Sequence, residues 1–444
     1  MKKFMTFTFK GGIHPSYKKE ISLKESFKQV VLPDKIEVPI SQHIGKPADP
    51  IVKKGDLVEE GSIIADSNAF ISSCIHSSVS GKVLDIKKAF HPSLGPTLSI
   101  FIERDKSKAP KEYPKIEEQC CSAQEIIQKV RDAGIVGMGG AAFPTHVKLS
   151  VPEGKKIDTL IINGAECEPY LTCDHVMMLN KTQEILEGIG LIFRVLQPKK
   201  TYIAIENNKQ NVLDAFHCGL KTAESLKGAE VEIIALETKY PQGGEKQLIS
   251  AISGKEVPPG KLPLDIGFLV QNIGTIYAIY EAVYFNKPLL QRMVTISGDC
   301  VENPGNYIVK IGTTVTDLIE LCGIKFKKNP KKVIIGGPMM GFSQPGTDAA
   351  VLKNTSGILF LSEETAPDFE EGQCIRCAKC VDVCPVRLSP TDIMRSAKKN
   401  LWDKTEEAYV TDCMECGSCT YVCPARIPLV QYIKEAKRII AKKK

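Results

Sequence analysis

Two cysteine runs near the C-terminus constrain this chain more than any other feature. Cys374, Cys377, Cys380 and Cys384 precede Pro385, and Cys413, Cys416, Cys419 and Cys423 precede Pro424. Both read C-x2-C-x2-C-x3-C-P, the spacing that holds two [4Fe–4S] clusters. Three thiolates on one tight loop reach three corners of a cubane, and the fourth, beyond the loop, serves the other cluster. The expected sets are therefore crossed: Cys374, Cys377, Cys380 and Cys423 for one cluster, and Cys413, Cys416, Cys419 and Cys384 for the other. Disulfides need an oxidising compartment, and the N-terminal MKKFMTFTFKGG lacks the apolar core of a signal peptide. Zinc accounts for a pair of C-x2-C motifs but not for the third and fourth cysteines of each run. Most of the other eight cysteines, scattered apart from Cys120 and Cys121, are expected to be reduced, packed thiols. Clusters of this kind carry single electrons.

At 444 residues the chain is too long for one core, and three or four domains are expected. Its 43% hydrophobic and 25% charged residues describe a soluble protein, and its net charge of +6 gives no reason to expect nucleic acid as a partner. Residues 266–285 are apolar over about one membrane span. Gln271, Asn272, Thr275 and Glu281 interrupt them, so a strand ending near Gln271 and then a buried helix fit better. Residues 425–444 form a basic, partly amphipathic helix. A solvated face is the plain reading, and contact with an anionic membrane or an acidic partner the sharper one.

The expected fold is multidomain α/β. Residues 31–103 hold short β-like runs between turns, with Gly55 and Gly61 placed for tight turns. They resemble a barrel-sandwich (lipoyl or biotinyl) domain. No lysine stands at Asp66–Phe70, where such a domain carries its prosthetic group, so a structural or docking module is expected. Residues 104–118 form a polar linker. Ser122 with Glu125 makes a capping box, opening a helix through Ile126, Ile127 and Val130. Apolar runs at Thr159–Asn163, Tyr202–Glu206, Val231–Leu236 and Gly267–Gln271 are each followed by a helical stretch, the pattern of a parallel, Rossmann-like sheet. Ligands in such sheets lie beyond the carboxyl ends of the strands. Residues 286–350 read as a small module similar to soluble-ligand-binding β-grasp domains, and 351–373 as a connector to the helical two-cluster domain. The units are thus 1–115, 116–285, 286–350 and 351–444.

Three further motifs bear on chemistry. Gly137-Met138-Gly139-Gly140-Ala141-Ala142-Phe143-Pro144-Thr145-His146-Val147-Lys148 is dense enough in glycine for backbone to approach a flat or phosphorylated ligand, although a plain turn between helices has the same composition. Asn163-Gly164-Ala165-Glu166-Cys167-Glu168-Pro169-Tyr170 puts two acids at a strand's carboxyl end, where they could orient a ligand or simply face water. Gly243-Gly244-Glu245 opens a helix, where free N–H groups suit a phosphate. These segments, with VQNIGT (270–275), follow the order found in the flavoprotein subunit of NADH dehydrogenase (complex I). Adding Gly11–Pro15 (GGIHP), the barrel-sandwich and β-grasp modules and the cluster tail, nearly the whole chain resembles the C-subunit family of Rnf complexes, membrane-bound ferredoxin:NAD(+) oxidoreductases.

The resemblance implies FMN and two [4Fe–4S] clusters as cofactors, with NAD(H) as substrate. Gly137, Gly139, Gly140, Lys148, Asn163, Glu166, Gly243, Gln271, Asn272 and Thr275 would surround FMN, and Phe143 and Glu168 would lie on the NAD(H) side. The sequence departs from the complex I pattern at Met138 (arginine there), Ala165 (aspartate) and Gly244-Glu245 (two glutamates). A flavin belongs between nicotinamide and clusters because it handles electrons both in pairs and singly. No acid, base or nucleophile is required of the protein for hydride transfer, so no catalytic side chain is expected. The implied setting is peripheral, on the cytoplasmic side of the cell membrane. The implied partners are membrane subunits that move ions and an Fe–S subunit that relays electrons from ferredoxin. A soluble flavin and Fe–S reductase serving a cobalamin enzyme, and a flavin-free electron-transfer adaptor, are the alternatives.

Overall fold

The computed structural model describes residues 6–24, 26–29, 32–116 and 121–443. Two short strands, β1 (Thr6–Phe7) and β2 (Lys28–Gln29), come first and join sheets formed much later in the chain. The first domain contains β3 (Lys35–Pro39), β4 (Asp49–Pro50), β5 (Leu57–Val58), β6 (Ile63–Asp66), β7 (Ile75–His76), β8 (Gly81–His91) and β9 (Gly95–Arg104). They form two antiparallel sheets, ordered β3-β9-β8-β5 and β4-β6-β7. Ile36, Val38, Ile64, Ile75, Val83, Ile100 and Ile102 fill the core of this domain. The β6–β7 turn carries no lysine, as its sequence requires.

The second domain begins with α1 (Ala123–Asp132), whose capping box forms as expected: Ser122 N–H donates to Glu125 Oε2 at 2.7 Å and Glu125 N–H to Ser122 Oγ at 3.3 Å. Then come α2 (Thr145–Leu149), β10 (Thr159–Gly164), α3 (Cys173–Asn180), α4 (Thr182–Leu196), β11 (Lys200–Glu206) and α5 (Gln210–Leu220). The domain ends with β12 (Val231–Leu236), α6 (Glu245–Ser253), β13 (Phe268–Asn272) and α7 (Ile273–Phe285). The sheet order is β1-β12-β11-β10-β13, and every pairing is parallel. The inner strands are buried on both faces over their later residues, so each contains a short apolar run, such as Leu160–Ile162 and Ile233–Leu236. The run at 266–285 divides into β13 and α7, a helix buried almost all round. No helix among the described residues is long and apolar enough to cross a membrane.

The third unit comprises β14 (Gln291–Ser297), β15 (Gly305–Lys310), α8 (Val315–Leu321), β16 (Lys332–Ile335), β17 (Phe342–Gln344) and β18 (Gly357–Leu361). Its sheet runs β17-β16-β18-β14-β15-β2. This corrects the boundary at 350: β18 is fully buried and sits between β16 and β14, so residues 351–361 belong to this unit and not to a connector. The C-terminal unit is helical: α9 (Lys379–Asp382), α10 (Pro390–Lys398), α11 (Trp402–Glu407), α12 (Ser418–Tyr421) and α13 (Leu429–Lys443). The terminal helix starts at Leu429 and not at 425, beyond Pro424 and Pro428, neither of which offers an N–H. It buries Leu429, Val430, Ile433, Ala436 and Ile440. One of its lysines also faces inward: Lys437 Nζ donates to Cys413 O at 3.0 Å and to Glu415 at 2.5 Å.

Candidate cofactor sites

The cysteines near the C-terminus gather in two places. Cys374, Cys377, Cys380 and Cys423 line one cavity of about 210 Å³ between the first loop and the start of the last helix. Cys413, Cys416, Cys419 and Cys384 lie close enough to one another for mutual electrostatic influence. Both groupings are the crossed ones. All fifteen described cysteines are free thiols, while Cys120 lies outside the described residues. Cys218 is exposed; it sits near the end of α5, where one face meets solvent.

The second loop is clamped against the parallel sheet. Tyr240, buried just after β12, donates its hydroxyl to Cys416 O at 2.8 Å. Gly12 N–H donates to Val383 O at 2.8 Å, next to Cys384. Ile13, Cys167, Tyr240 and Cys416 form a small apolar cluster, with Met339, Val383, Met414 and Val422 against it.

At the carboxyl ends of β10 and β13, most of the residues expected around a flavin meet. Asn163 Nδ2 donates to Gly243 O at 2.9 Å, and Asn163 Oδ1 accepts from Ala165 N–H at 3.0 Å. Asp174 N–H donates to Glu166 Oε1 at 2.8 Å, and Asn272 Nδ2 to Asp174 Oδ2 at 2.9 Å. Asn272 Oδ1 caps α7, accepting from Gly274 and Thr275 N–H. Thr275 Oγ1 accepts from Met138 N–H at 3.0 Å, tying the glycine loop to α7. The loop is closed by Gly137 N–H donating to Phe143 O at 2.9 Å. A Cβ on Gly139 would lie 2.8 Å from Asn272 Nδ2, whereas one on Gly140 would meet nothing within 4 Å. Lys148 Nζ bonds Val270 O at 2.5 Å and pairs with Glu245, bridging α2, β13 and the start of α6. Phe143 is half-buried beside the loop.

Glu168 has other partners. Its carboxylate accepts from Met339 N–H at 3.0 Å and Met340 N–H at 2.8 Å, in the turn between β16 and β17. Burial raises its carboxyl to about 7 despite those two donors. Burial and Glu166 together push Asp174 to about 6. Burial raises the Cys167 thiol to about 12, so it stays protonated where it accepts from Gly243 N–H at 3.4 Å.

Several residues at these strand ends carry no sequence signal. Lys19, from the N-terminal segment, reaches Leu171 O at 2.6 Å and lies 3.7 Å from Glu166. Lys209 and Glu206 form a fully buried pair. Arg292, on β14, places a buried guanidinium against the Met138 thioether and donates to Thr355 O at 3.1 Å; burial lowers its pKa. The departure at Met138 therefore coincides with an arginine arriving from another domain. No motif joins residues so far apart in the chain.

The site suits a polar ligand. Glu166 Oε2, Gln271 Nε2 and both side-chain polar atoms of Gln242 are buried at the strand ends without hydrogen-bond partners, a state that costs free energy unless something pairs with them. The four-thiol cavity likewise suits a soft metal cluster.

Matching family models cover most of the chain. They are the RnfC barrel sandwich hybrid domain (residues 7–107), the Nuo51 FMN-binding domain (130–281), the SLBB domain (293–343) and a 4Fe-4S dicluster domain (366–424). The chain is 44% identical to the C-subunit of the proton-translocating ferredoxin:NAD(+) oxidoreductase complex of Clostridium ljungdahlii, covering 91% of this chain and 88% of that one. It is also 44% identical to the Na(+)-translocating counterpart of Acetobacterium woodii, covering 91% and 90%. The C-subunit of the ion-translocating oxidoreductase complex of Rhodobacter capsulatus is 40% identical, with 87% and 74% covered. An NAD+-reducing [NiFe]-hydrogenase crystal structure shares the fold over 72% of this chain and 61% of its own, with a TM-score of 0.52 at 19% identity. The chain belongs to the C-subunit family of ion-translocating ferredoxin:NAD(+) oxidoreductase complexes.

Proposed function

We propose that this chain is the peripheral, NAD(H)-reacting subunit of a membrane-bound ferredoxin:NAD(+) oxidoreductase, on the cytoplasmic side, whose membrane partners move the ions. The observation that carries this reading is the clamp between the second cysteine loop and the parallel sheet: a cluster ligand's carbonyl bonds Tyr240, three residues from Gly243. A one-electron site and a candidate flavin site are thereby held against each other.

Cys374, Cys377, Cys380 and Cys423 would hold one [4Fe–4S] cluster, and Cys413, Cys416, Cys419 and Cys384 the other. Gly137, Gly139, Gly140, Lys148, Asn163, Glu166, Gly243, Gln271, Asn272 and Thr275 would hold FMN, with Phe143 and Glu168 toward NAD(H). When bound, FMN supplies two-electron exchange with nicotinamide and one-electron exchange with the clusters. The protein's task is placement and shielding. Lys148, paired with Glu245 at the start of α6, ties α2 and β13 to that helix end beside the glycine loop. Asn163 and Asn272 fix the loops on either side, and Tyr240 and Cys167 keep water from the gap between strand ends and cluster loop. The units of this reading are a barrel-sandwich domain to 115, an FMN/NAD(H) domain over 116–285, a β-grasp domain over 286–361 and the cluster domain beyond.

Iron and acid-released flavin, counted on protein purified without oxygen, test the assignment. Full iron with no FMN would leave only an electron-transfer adaptor. Lys148→Ala should lose FMN and NADH-dependent reduction of an artificial acceptor while keeping iron. Loss of iron together with FMN would argue that the lysine is structural.

A further inference from the structure

The glycine loop is held from outside its own domain as well as from within. Inside the domain, Gly137 N–H bonds Phe143 O and Met138 N–H bonds Thr275 Oγ1. Three carbonyls in and just before the loop accept from other units. Gly134 O accepts from Lys353 Nζ at 2.7 Å, Gly140 O from Asn354 Nδ2 at 3.1 Å, and Ala142 O from Ile44 N–H at 3.3 Å. Lys353 and Asn354 belong to the third unit, just before β18, and Ile44 to the first. Arg292 ties the next residue, Thr355, to Met138 of the loop. Among the described residues, the N–H groups of Gly139, Gly140 and Ala141 donate to nothing, and all three residues are exposed. With the carbonyls drawn outward, these donors are left for a ligand.

Lys353 is the centre of this support. Its side chain is 1% exposed, and Nζ also donates to Cys74 O, in the first domain, at 2.6 Å. Its own N–H donates to Gln42 Oε1 at 3.0 Å. Among the described residues no carboxylate bonds this ammonium, and burial lowers its pKa to about 8. A buried cation without a carboxylate is costly, and methionine would fill the space at less cost. What the ammonium adds is its donors. Gly134 permits the approach: its φ is 65°, and a Cβ there would lie 2.4 Å from Cys74 O and 2.9 Å from Lys353 Nζ. We propose that Lys353 and Asn354 are positioning residues for the flavin: they fix the glycine loop in the shape that binds FMN, so the third unit sets the affinity of the second for its cofactor. Both act through the loop and not on the reacting atoms. This rests on the assignment of the glycine loop to FMN.

The test titrates FMN into the flavin-depleted full chain, purified without oxygen, and reads the quenching of flavin fluorescence. Iron content and melting temperature are measured alongside. Asn354→Asp is a near-isosteric change at a half-buried residue that withdraws the donor. It should bind FMN about tenfold more weakly at unchanged iron and melting temperature. Its NADH-dependent reduction of an artificial acceptor should fall at limiting FMN and recover in excess FMN. Lys353→Met should bind FMN at least about tenfold more weakly and melt lower. Thr316→Ala, exposed on α8 of the same unit, should bind FMN as wild type does. If Lys353→Met does not fold, Asn354→Asp decides. Wild-type affinity in either folded variant, equal weakening in Thr316→Ala, or activity that excess FMN does not restore overturns the positioning role alone. Wild-type protein that takes up no FMN overturns the flavin reading as well.

Discussion

Tyr240→Phe isolates the clamp between sheet and second cysteine loop. The side chain is 1% exposed, and its hydroxyl donates to Cys416 O at 2.8 Å. Phenylalanine keeps the ring and its packing against Ile13 and Cys167, so the apolar area buried is nearly unchanged. What is lost is one donor, leaving the carbonyl of Cys416 buried and unpaired, at a cost of about 1–3 kcal/mol. Because the bond joins two units, the cost should fall on their local separation more than on unfolding of either one. At about 1.4 kcal/mol per decade, residues 413–421 should open roughly 5- to 150-fold more often. Amide hydrogen exchange of the cluster-loaded protein, read by mass spectrometry, reports this directly. Exchange should accelerate at 413–421 and stay as in wild type at 374–381. Equal protection at 413–421, or equal acceleration in both loops, would refute the idea that this hydroxyl holds the second loop in place.

Four other outcomes are expected. Glu168 is raised from 4.5 to about 7, so the folded chain binds its proton more tightly than the unfolded chain. Stability from this group is full below pH about 4.5 and falls by about 3 kcal/mol as the pH rises through 7. Glu168→Gln removes that slope, so its melting temperature should gain on wild type between pH 5 and 8, and a constant difference would contradict the linkage. Met138→Arg sets a second buried guanidinium against Arg292 and should destabilise by about 3–5 kcal/mol, with recovery in Met138→Arg/Arg292→Met, measured by thermal unfolding. Gly337→Ala drives a Cβ into the Glu168 carboxylate and should cost about 1–3 kcal/mol. Gly140→Ala meets nothing and should melt as wild type does, yet bind FMN more weakly if the loop holds the cofactor.

What could be read from the sequence was what local spacing encodes. The cysteine runs specify a crossed geometry because each proline-ended run is one compact loop. The parallel strands were visible because burial on both faces leaves an uninterrupted apolar run, as in Leu160–Ile162. Strand β18 carried the same signal in Gly357–Leu361, but its position between two cross-chain neighbours depends on pairing that no local pattern contains. β1 and β2 are two residues each and exist only because a sheet edge receives them. The partners of Glu168, and the meeting of Arg292 with Met138, join residues more than 150 positions apart.

The N-terminal segment shows the same point at the centre of the molecule. Gly11 and Gly12 both have positive φ, 82° and 79°. A Cβ on Gly11 would lie 2.9 Å from Cys384 O, and one on Gly12 2.7 Å from Tyr240 O. Both residues must therefore be glycine for the chain to pass between the second cysteine set and the end of β12. The pass creates two backbone links, Gly12 N–H to Val383 O and Ile13 N–H to Tyr240 O, both 2.8 Å. On the other side, Met339 O lies 3.0 Å from where a Cβ of Gly417 would be, while the turn that contains it is held by Glu168. The N-terminal segment thus holds Val383 and Cys384, at the end of the first run, while Tyr240 and the Met339 turn hold the second loop, and residues 375–379 of the first run stay exposed. The two cysteine sets, alike in sequence, differ in covering because Cys416 packs against Tyr240 and Ile13 whereas residues 375–379 meet solvent.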